Sequence, residues 1–378
     1  MVLHPPSIQS RRRTSRRYLA LVVVVLALIG GWSGFWSFAA GRAQTVIDGW
    51  RAREAQSGWI YDCGKQSLGG YPFRIEVDCD SASALFRNGA APLEVKLGRI
   101  LVAAQIYDPT LLISEFTGPL TVADPGQPPK FTASWKLAQS SLRGTPRAPE
   151  RASLVFDQPA VDRIDGATRQ NLLRAQRIEL HGRLAGGSVT ANPVIEAVVR
   201  ATQAAAPDLH PAAALPVDAE ARATLRGLKD FAPKPWAARF REIQQADGRI
   251  EISDLRVKQG ETLAVGSGTL SLNAAGRLQG ELRVTVAGLE PFLKAIGAEQ
   301  IVKRSQPMDK LAGALNRIAP GLGDVARQQA SANIATGINL LGEPATLEGK
   351  PAVILPLRFD NGAVFLGPIP VGVTPALF

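Results

Sequence analysis

Two cysteines, Cys63 and Cys79, are the residues whose type and spacing most directly predict chemistry in this chain. They flank a segment that is interrupted by the pair Gly69-Gly70, and no histidine lies near them, which disfavours a metal site. In an oxidising compartment a disulfide is the default expectation, and two buried free thiols are the alternative. The bond would close a loop of about 17 residues and contribute about 3 kcal/mol in the chain-entropy model.

The three histidines do not suggest a catalytic set. His4 precedes the apolar segment described below, and His210 lies in a stretch rich in Pro and Ala. His181 shares the polar face of a predicted strand with Glu179 and Arg183, which indicates a solvated surface histidine. Because no Ser-His-Asp arrangement can be proposed from these residues, we expect no enzymatic activity, no cofactor and no metal.

Three further motifs have ordinary structural interpretations. Asp78 and Asp80 would share one strand face and could suggest a metal site, but the tethered Cys79 between them and the lack of further ligands favour a solvated face. Residues 266–268 read Gly-Ser-Gly, which is too short for a phosphate-binding loop and lacks the following Gly-Lys. Residues 236–241 mix aromatic residues with arginine; they could bind acidic lipid or a partner, although core packing of a helix is the simpler interpretation.

The first forty residues predict a membrane anchor. Five arginines between positions 11 and 17 precede an uncharged run of 23 residues, 18–40. As a helix this run would measure about 34 Å, and the hydrocarbon core of a bilayer is about 30 Å thick. The arginines predict a cytoplasmic amino terminus, and Trp32, Trp36 and Phe38 fit an aromatic belt at the outer interface. A cleaved signal peptide is the alternative, although its apolar region would normally be about 7–15 residues long.

The net charge of +10 mostly reflects this membrane orientation. Five of the ten charges come from the amino-terminal arginines, so about +5 remains for the rest of the chain. That excess is far from the basic stripe of a nucleic-acid-binding protein, and we expect no nucleic acid partner. A weak attraction to anionic lipid head groups stays open.

Beyond the anchor, period-two alternation of apolar and polar residues predicts many strands that each have one apolar face. Helical spacing is found at 43–57, 192–205, 235–245 and 289–341. The predicted fold class is α+β and β-rich: an N-terminal transmembrane helix is followed by an extended antiparallel β-meander sheet with a few packing helices. The predicted parts are a cytoplasmic basic tail (1–17), the transmembrane anchor (18–40), a first β-rich half (41–206), a linker (207–216) and a second β-rich half (217–378).

Two segments carry a family resemblance. Residues 70–75 read Gly-Tyr-Pro-Phe-Arg-Ile between the two cysteines, and residues 360–370 read Asp-Asn-Gly-Ala-Val-Phe-Leu-Gly-Pro-Ile-Pro, which also predicts a hairpin. Over residues 41–378 the chain resembles the "domain of unknown function 2125" family of alphaproteobacterial envelope proteins. The resemblance implies an envelope location, and because that family has no assigned catalytic residues, none is transferred to this chain.

A looser resemblance is carried by residues 266–272, Gly-Ser-Gly-Thr-Leu-Ser-Leu, and residues 276–280, Gly-Arg-Leu-Gln-Gly. These glycine-punctuated strands are similar to those of AsmA-like envelope proteins, which also have an amino-terminal inner-membrane anchor and extended β-meanders. Relatives of that kind are implicated in outer-membrane biogenesis and lipid movement, so the resemblance implies a role with lipid.

These observations predict a single-pass inner-membrane protein whose C-terminal bulk lies in the periplasm and binds or guides lipid in envelope biogenesis. Its expected partners are the inner membrane and lipid or envelope proteins. The lipid would occupy an apolar groove on one sheet face, with the candidate residues Phe131, Trp135, Leu270, Leu272, Leu282, Val284 and Val286. A non-catalytic periplasmic scaffold or partner-binding module, with that face covered by its own helices, is the alternative. A hydrolase is the least supported function.

Overall fold

A long amino-terminal helix precedes a very large β-sheet. The computed structural model describes residues 11–87, 91–144, 148–208, 213–232, 234–288, 342–367 and 369–378. Helix α1 (Arg11–Gln56) continues without a break from the predicted membrane run into the predicted helix that follows it. An 18-residue window of α1 has a mean hydropathy of 2.2, so α1 is long and apolar enough to cross a membrane.

The described part of the chain continues with nineteen strands that form a single sheet, and with one further helix between β12 and β13. The elements are β1 (Trp59–Gly69), β2 (Arg74–Phe86), β3 (Leu93–Gln105), β4 (Asp108–Ala123), β5 (Phe131–Ser134), β6 (Leu137–Arg143), β7 (Arg151–Asp157), β8 (Ala160–Asp165), β9 (Thr168–Arg174), β10 (Arg177–Ser188), β11 (Ala191–Ala204), β12 (Val217–Arg226), α2 (Trp236–Gln245), β13 (Arg249–Gln259), β14 (Thr262–Leu272), β15 (Leu278–Ala287), β16 (Glu343–Leu347), β17 (Lys350–Asp360), β18 (Ala363–Leu366) and β19 (Ile369–Val373).

The sheet is a meander with one branch, and all its pairings are antiparallel. The main ribbon runs β1-β2-β3-β4-β6-β7-β10-β11-β12-β13-β14-β15-β17-β18-β19. The branch leaves β4 through β5 and continues to β8 and β9, while β16 pairs with β17. The predicted β-rich fold with an extended antiparallel meander is therefore confirmed.

The helix predicted at 192–205 is wrong, because this segment forms strand β11. The segment is rich in β-branched residues, which favour strands once neighbouring strands are available to pair with. β11 pairs with β10 on one side and β12 on the other. Pro193, interpreted as a helix start, lies instead at an irregularity of the β10–β11 register, where a strand tolerates proline.

The other predicted elements have different outcomes. The helix predicted at 235–245 is confirmed as α2, and the hairpin predicted at 360–362 joins β17 to β18. The helix predicted at 289–341 lies outside the described residues. The predicted linker, 207–216, lies between two strands that pair directly with each other, and the division of the chain into halves there stays a prediction.

Candidate functional site

One face of the sheet carries an unbroken row of apolar side chains. Residues that pair directly across antiparallel strands point to the same face, so each pair extends the row by one strand. The row crosses twelve strands, from β2 to β17, through Cys79, Ile100, Phe116, Ala138, Phe156, Ile178, Ala201, Ala219, Val257, Ala264, Val286 and Val353. We call this side of the sheet the apolar face.

The opposite face is polar and carries chains of ion pairs. The cross-strand row directly beside the apolar one contains Glu179, Arg200 and Glu220 on successive strands. Arg200 reaches both carboxylates, with nitrogen–oxygen distances of 3.7 and 3.1 Å. The hydrogen bond from Arg177 holds the pKa of Glu179 below its usual value, and the hydrogen bond from Arg200 does the same for Glu220. This face is therefore suited to contact with solvent, and the sheet as a whole is amphipathic.

The carboxyl-terminal part of α1 lies on the apolar face. The rings of Trp50 and Tyr61 stack with centroids 4.7 Å apart, and Arg51 Nη2 donates a hydrogen bond of 2.7 Å to Gln66 Oε1. Because Gln66 pairs directly with Cys79, the first member of the apolar row, α1 covers the start of that row.

The two cysteines also lie at this start. Cys63 on β1 and Cys79 on β2 form a disulfide with a Cα–Cα distance of 5.7 Å, so the predicted pairing is confirmed. The bond joins neighbouring strands on the face that α1 contacts. It therefore ties the β1–β2 hairpin together where the helix packs on the sheet.

Four of the predicted groove residues are buried in a packed core. Leu270, Leu282, Val284 and Val286 lie on β14 and β15 and belong to one cluster. Their buried neighbours in that cluster are Val353, Leu355 and Leu366. The groove prediction placed these four side chains at an open surface, whereas here large side chains from adjacent strands pack over one another and exclude water.

The other three predicted groove residues are more exposed. Leu272, at the end of β14, is half-buried. Trp135 is also half-buried and packs on Phe156 of the apolar row, with ring centroids 5.4 Å apart. Phe131 lies on the branch strand β5, opposite Val122, and is exposed. The structure therefore places these two aromatic residues beside β4 and does not join them to the β14–β15 cluster.

Burial of the apolar face changes along the sheet. From β2 to β7 its buried members are small, as at Ala82 and Ala138, while its large side chains are half-buried. Leu180 and Val199, paired on β10 and β11, are 40% and 43% exposed. In the described part of the chain the apolar face is thus closed near β14–β18 and accessible around Leu180 and Val199 on β10 and β11.

A cavity shows that the sheet is curled. Its volume is about 340 Å³, and its walls are Trp50, Glu54, Trp59, Tyr61, Phe231, Ala232, Lys234, Trp236 and Arg239. These residues come from α1 and β1 on one side, and from the segment between β12 and α2 together with the first turn of α2 on the other. β1 and β12 are eight strand steps apart, which would be about 38 Å in a flat sheet at roughly 4.8 Å per step. The sheet must therefore curl, with the apolar face on the inner side, where α1 lies.

Ion pairs hold the segment before α2 in place beside this cavity. Lys234 Nζ lies 2.9 Å from Asp230 and 2.5 Å from Glu242, and Arg239 lies 2.9 Å from Glu242. Burial disfavours the charge of Glu242, but hydrogen bonds from Lys234, the Lys229 N–H and Arg239 outweigh it and lower the pKa of Glu242. These carboxylates neutralise Lys234 and Arg239. The remaining surface of the cavity is therefore mainly apolar, because five of its lining residues are aromatic.

One polar arrangement could not be predicted from the sequence. His181 Nδ1 lies 2.9 Å from Ser153 Oγ, and His181 Nε2 lies 3.6 Å from Glu179. It resembles a nucleophile–base pair, and only the β7–β10 register reveals it. Ser153 lies in the middle of a strand paired on both sides, so the nearby backbone N–H groups belong to the ladder and cannot stabilise an oxyanion. In the described residues no cluster of three metal-ligating side chains is found.

A known bacterial family matches most of this chain. The sequence profile of a family described as an uncharacterized protein conserved in bacteria, domain of unknown function 2125, matches residues 36–375. The chain belongs to this family. The domain of unknown function 2125 thus begins inside α1 and includes the disulfide and every described strand. No curated protein and no solved structure matches the chain, and the likeness to AsmA-like proteins is not confirmed.

Proposed function

We propose that this chain is a membrane-anchored protein that binds the acyl chains of lipid on the inner, apolar face of its curled sheet. The observation that carries the proposal is the unbroken apolar row, which starts beside α1 and remains accessible around Leu180 and Val199. Exposed apolar surface that is continuous over many strands is unfavourable in water and marks a binding surface. A curled sheet surrounds such a surface without removing access to it.

The proposed location is the inner membrane, with the sheet in the periplasm. The arginines before the apolar run favour a cytoplasmic amino terminus. The Cys63–Cys79 disulfide supports an oxidising compartment for the sheet. The helix that is long and apolar enough to cross a membrane supports a single-pass anchor.

Lipid content of the purified full chain tests this function. Val199→Asp places a carboxylate on the accessible part of the apolar face, and Thr202→Asp places one on the opposite face of the same strand. Mass spectrometry of extracted lipid is expected to show a several-fold loss for Val199→Asp and no loss for Thr202→Asp, at similar melting temperatures. A wild-type protein that carries no lipid, or equal lipid content in the two variants, would overturn the proposal.

The alternative function is a non-catalytic scaffold or partner-binding module. The closed cluster on β14–β18 favours it, because side chains of the chain itself fill that end of the apolar face. The scaffold predicts that purified protein is free of lipid and that Val199→Asp weakens recovery of a co-purified envelope protein. The lipid analysis above therefore separates the two functions.

A further inference from the structure

The turn between β1 and β2 is fixed against the membrane-spanning part of α1. Trp32 Nε1 donates a hydrogen bond of 2.8 Å to the Pro72 carbonyl oxygen, and Trp36 Nε1 donates one of 2.9 Å to that of Arg74. A third hydrogen bond, of 2.9 Å, joins the hydroxyls of Ser33 and Tyr71. Three contacts along a single helical turn hold the hairpin tip at the level of residues 32–36.

This level lies within the apolar run of α1. Arg42 is the first charged residue after the run. It follows Trp36 by six residues, which is about 9 Å along a helix. The tip of the β1–β2 hairpin therefore lies beside the uncharged part of α1, on the amino-terminal side of Arg42.

The residues at this depth are aromatic and largely exposed. Tyr71 is 51% exposed and Phe73 is 66% exposed, while the Phe73 ring lies 6.3 Å from that of Trp32. The β3–β4 turn lies beside them, because the Ile106 N–H donates to the Phe73 carbonyl at 3.0 Å. Tyr107, at the tip of that turn, is 77% exposed. Large aromatic side chains with this much exposure have an unfavourable contact with water unless something covers them.

We propose that these two hairpin tips, residues 70–73 and 106–107, insert into the membrane–water interface beside α1. Their partner is the bilayer leaflet on the outer side, and the tips extend the belt formed by Trp32 and Trp36. Tyrosine and tryptophan favour this region because their rings are apolar and their polar ends remain hydrated. The ion pair between Arg143 and Asp108 lies just behind the second tip, where head groups and water are expected.

The insertion rests on the proposed anchor and gives the apolar face a route to lipid. The tips belong to β1–β4, the same strands on which the apolar row begins. An acyl chain leaving the leaflet beside the tips would meet apolar side chains without first crossing water. The lipid of the proposed function would thus be drawn from the leaflet that the tips contact.

Site-specific fluorescence of the full chain tests the insertion. Tyr107→Cys is labelled with the environment-sensitive dye NBD, which the disulfide-bonded native cysteines do not take up. The matched control is Gln127→Cys, in the turn at the far end of β4, about 53 Å away for a strand of 16 residues. Each protein is reconstituted into vesicles of phosphatidylcholine and phosphatidylglycerol, with and without dibromo-phosphatidylcholine as quencher.

The expected result is a blue-shifted emission at position 107 that brominated lipid quenches, and neither effect at position 127. Adding Phe73→Asp is expected to reverse the shift at 107 while the protein still floats with the vesicles. Equal, unquenched emission at the two positions would overturn the insertion, even if the protein carries lipid. Quenching at 107 in a protein without bound lipid would support the insertion and overturn the lipid function. Failure of the full chain to float would overturn the insertion together with the anchor.

Discussion

Leu180 on β10 lies directly opposite Val199 on β11, and each side chain keeps about two-fifths of its surface exposed. Burying apolar surface stabilises a protein by about 25 cal/mol per Å². The exposed area of this pair therefore adds nothing to the stability of the fold. The same face is closed at Val284 and Leu355. In the part of the chain that the structure describes, this face is closed on β14–β18 and left exposed at Leu180 and Val199, which is why we propose that the accessible part binds a ligand.

The closed end should respond strongly to charge. Val284→Asp would bury a carboxylate among Leu282, Val286 and Leu355, and we expect it to cost several kcal/mol or prevent folding, because burial of an unpaired charge is unfavourable. Arg283→Ala, on the exposed neighbour that pairs with Glu343, should change stability by less than about 1 kcal/mol. Urea unfolding of the two variants checks this. A folded Val284→Asp protein of near wild-type stability would show that this end is open.

The disulfide should stabilise the β1–β2 hairpin. Replacing Cys63 and Cys79 together by serine is expected to lower the free energy of unfolding by about 3 kcal/mol, since the unfolded chain regains the entropy of the closed loop. The measurement is urea unfolding of the variant against the oxidised wild type. Maleimide labelling of unreduced, unfolded wild-type protein should find no thiol, and two reactive thiols would contradict the bond.

The turn after β1 should depend on Gly70. Its φ is +93°, and a Cβ there would lie 2.7 Å from the Arg74 carbonyl oxygen, so Gly70→Ala is both strained and crowded. We expect a loss of about 1–3 kcal/mol. Gly69→Ala is the matched control, because a Cβ at Gly69 meets nothing within 4 Å and should be tolerated. Thermal melting compares the two, and equal melting temperatures would show that the tip is not held as described.

Stability should fall in acid through the ion pairs beside α2. The hydrogen bond from Lys234 lowers the pKa of Asp230 below its usual value of 3.8, and the net effect on Glu242 is a pKa below 4.5. A carboxyl group whose pKa is lower in the folded state stabilises the fold above its unfolded pKa, and this is lost as the pH falls through the folded value.

The corresponding test is Lys234→Met, measured by urea unfolding at several pH values. The variant should be less stable than wild type at pH 7, and the difference should shrink below about pH 4, as both carboxyl groups take up protons. Lys136→Met, at an exposed position, should differ from wild type by a constant amount over the same range. A Lys234→Met difference that does not change with pH would contradict the assigned pairing.

The proposed orientation can be tested with fusions after Phe378. Because the arginines favour a cytoplasmic amino terminus, we expect a reporter that is active only in the periplasm to work there. A second reporter that is active only in the cytoplasm should be silent at the same position. The reverse pattern would place the sheet in the cytoplasm and remove the expected source of oxidation for the disulfide.

Several features could be predicted from neighbouring residues alone. The charge and hydropathy of the first forty residues predicted α1, period-two alternation predicted most strands, and the Cys63–Cys79 pairing followed from composition and spacing. The error at 192–205 has a local cause, since apolar residues in that segment satisfy helical and strand spacing equally well. Pairing with β10 on one side and β12 on the other decides between them, and the pattern inside the segment does not specify that pairing.

The sequence by itself determined that nearly every strand has one apolar and one polar side. Only the tertiary structure decided that the apolar sides align into one row over twelve strands, and that this face is buried at Val286 and accessible at Val199. It also decided that the side chains of Ser153 and His181 lie within hydrogen-bond distance. The reason is that alternation depends on the backbone geometry of each strand alone. Strand order, register and curl depend on contacts between residues far apart in the chain, and local composition does not specify those contacts.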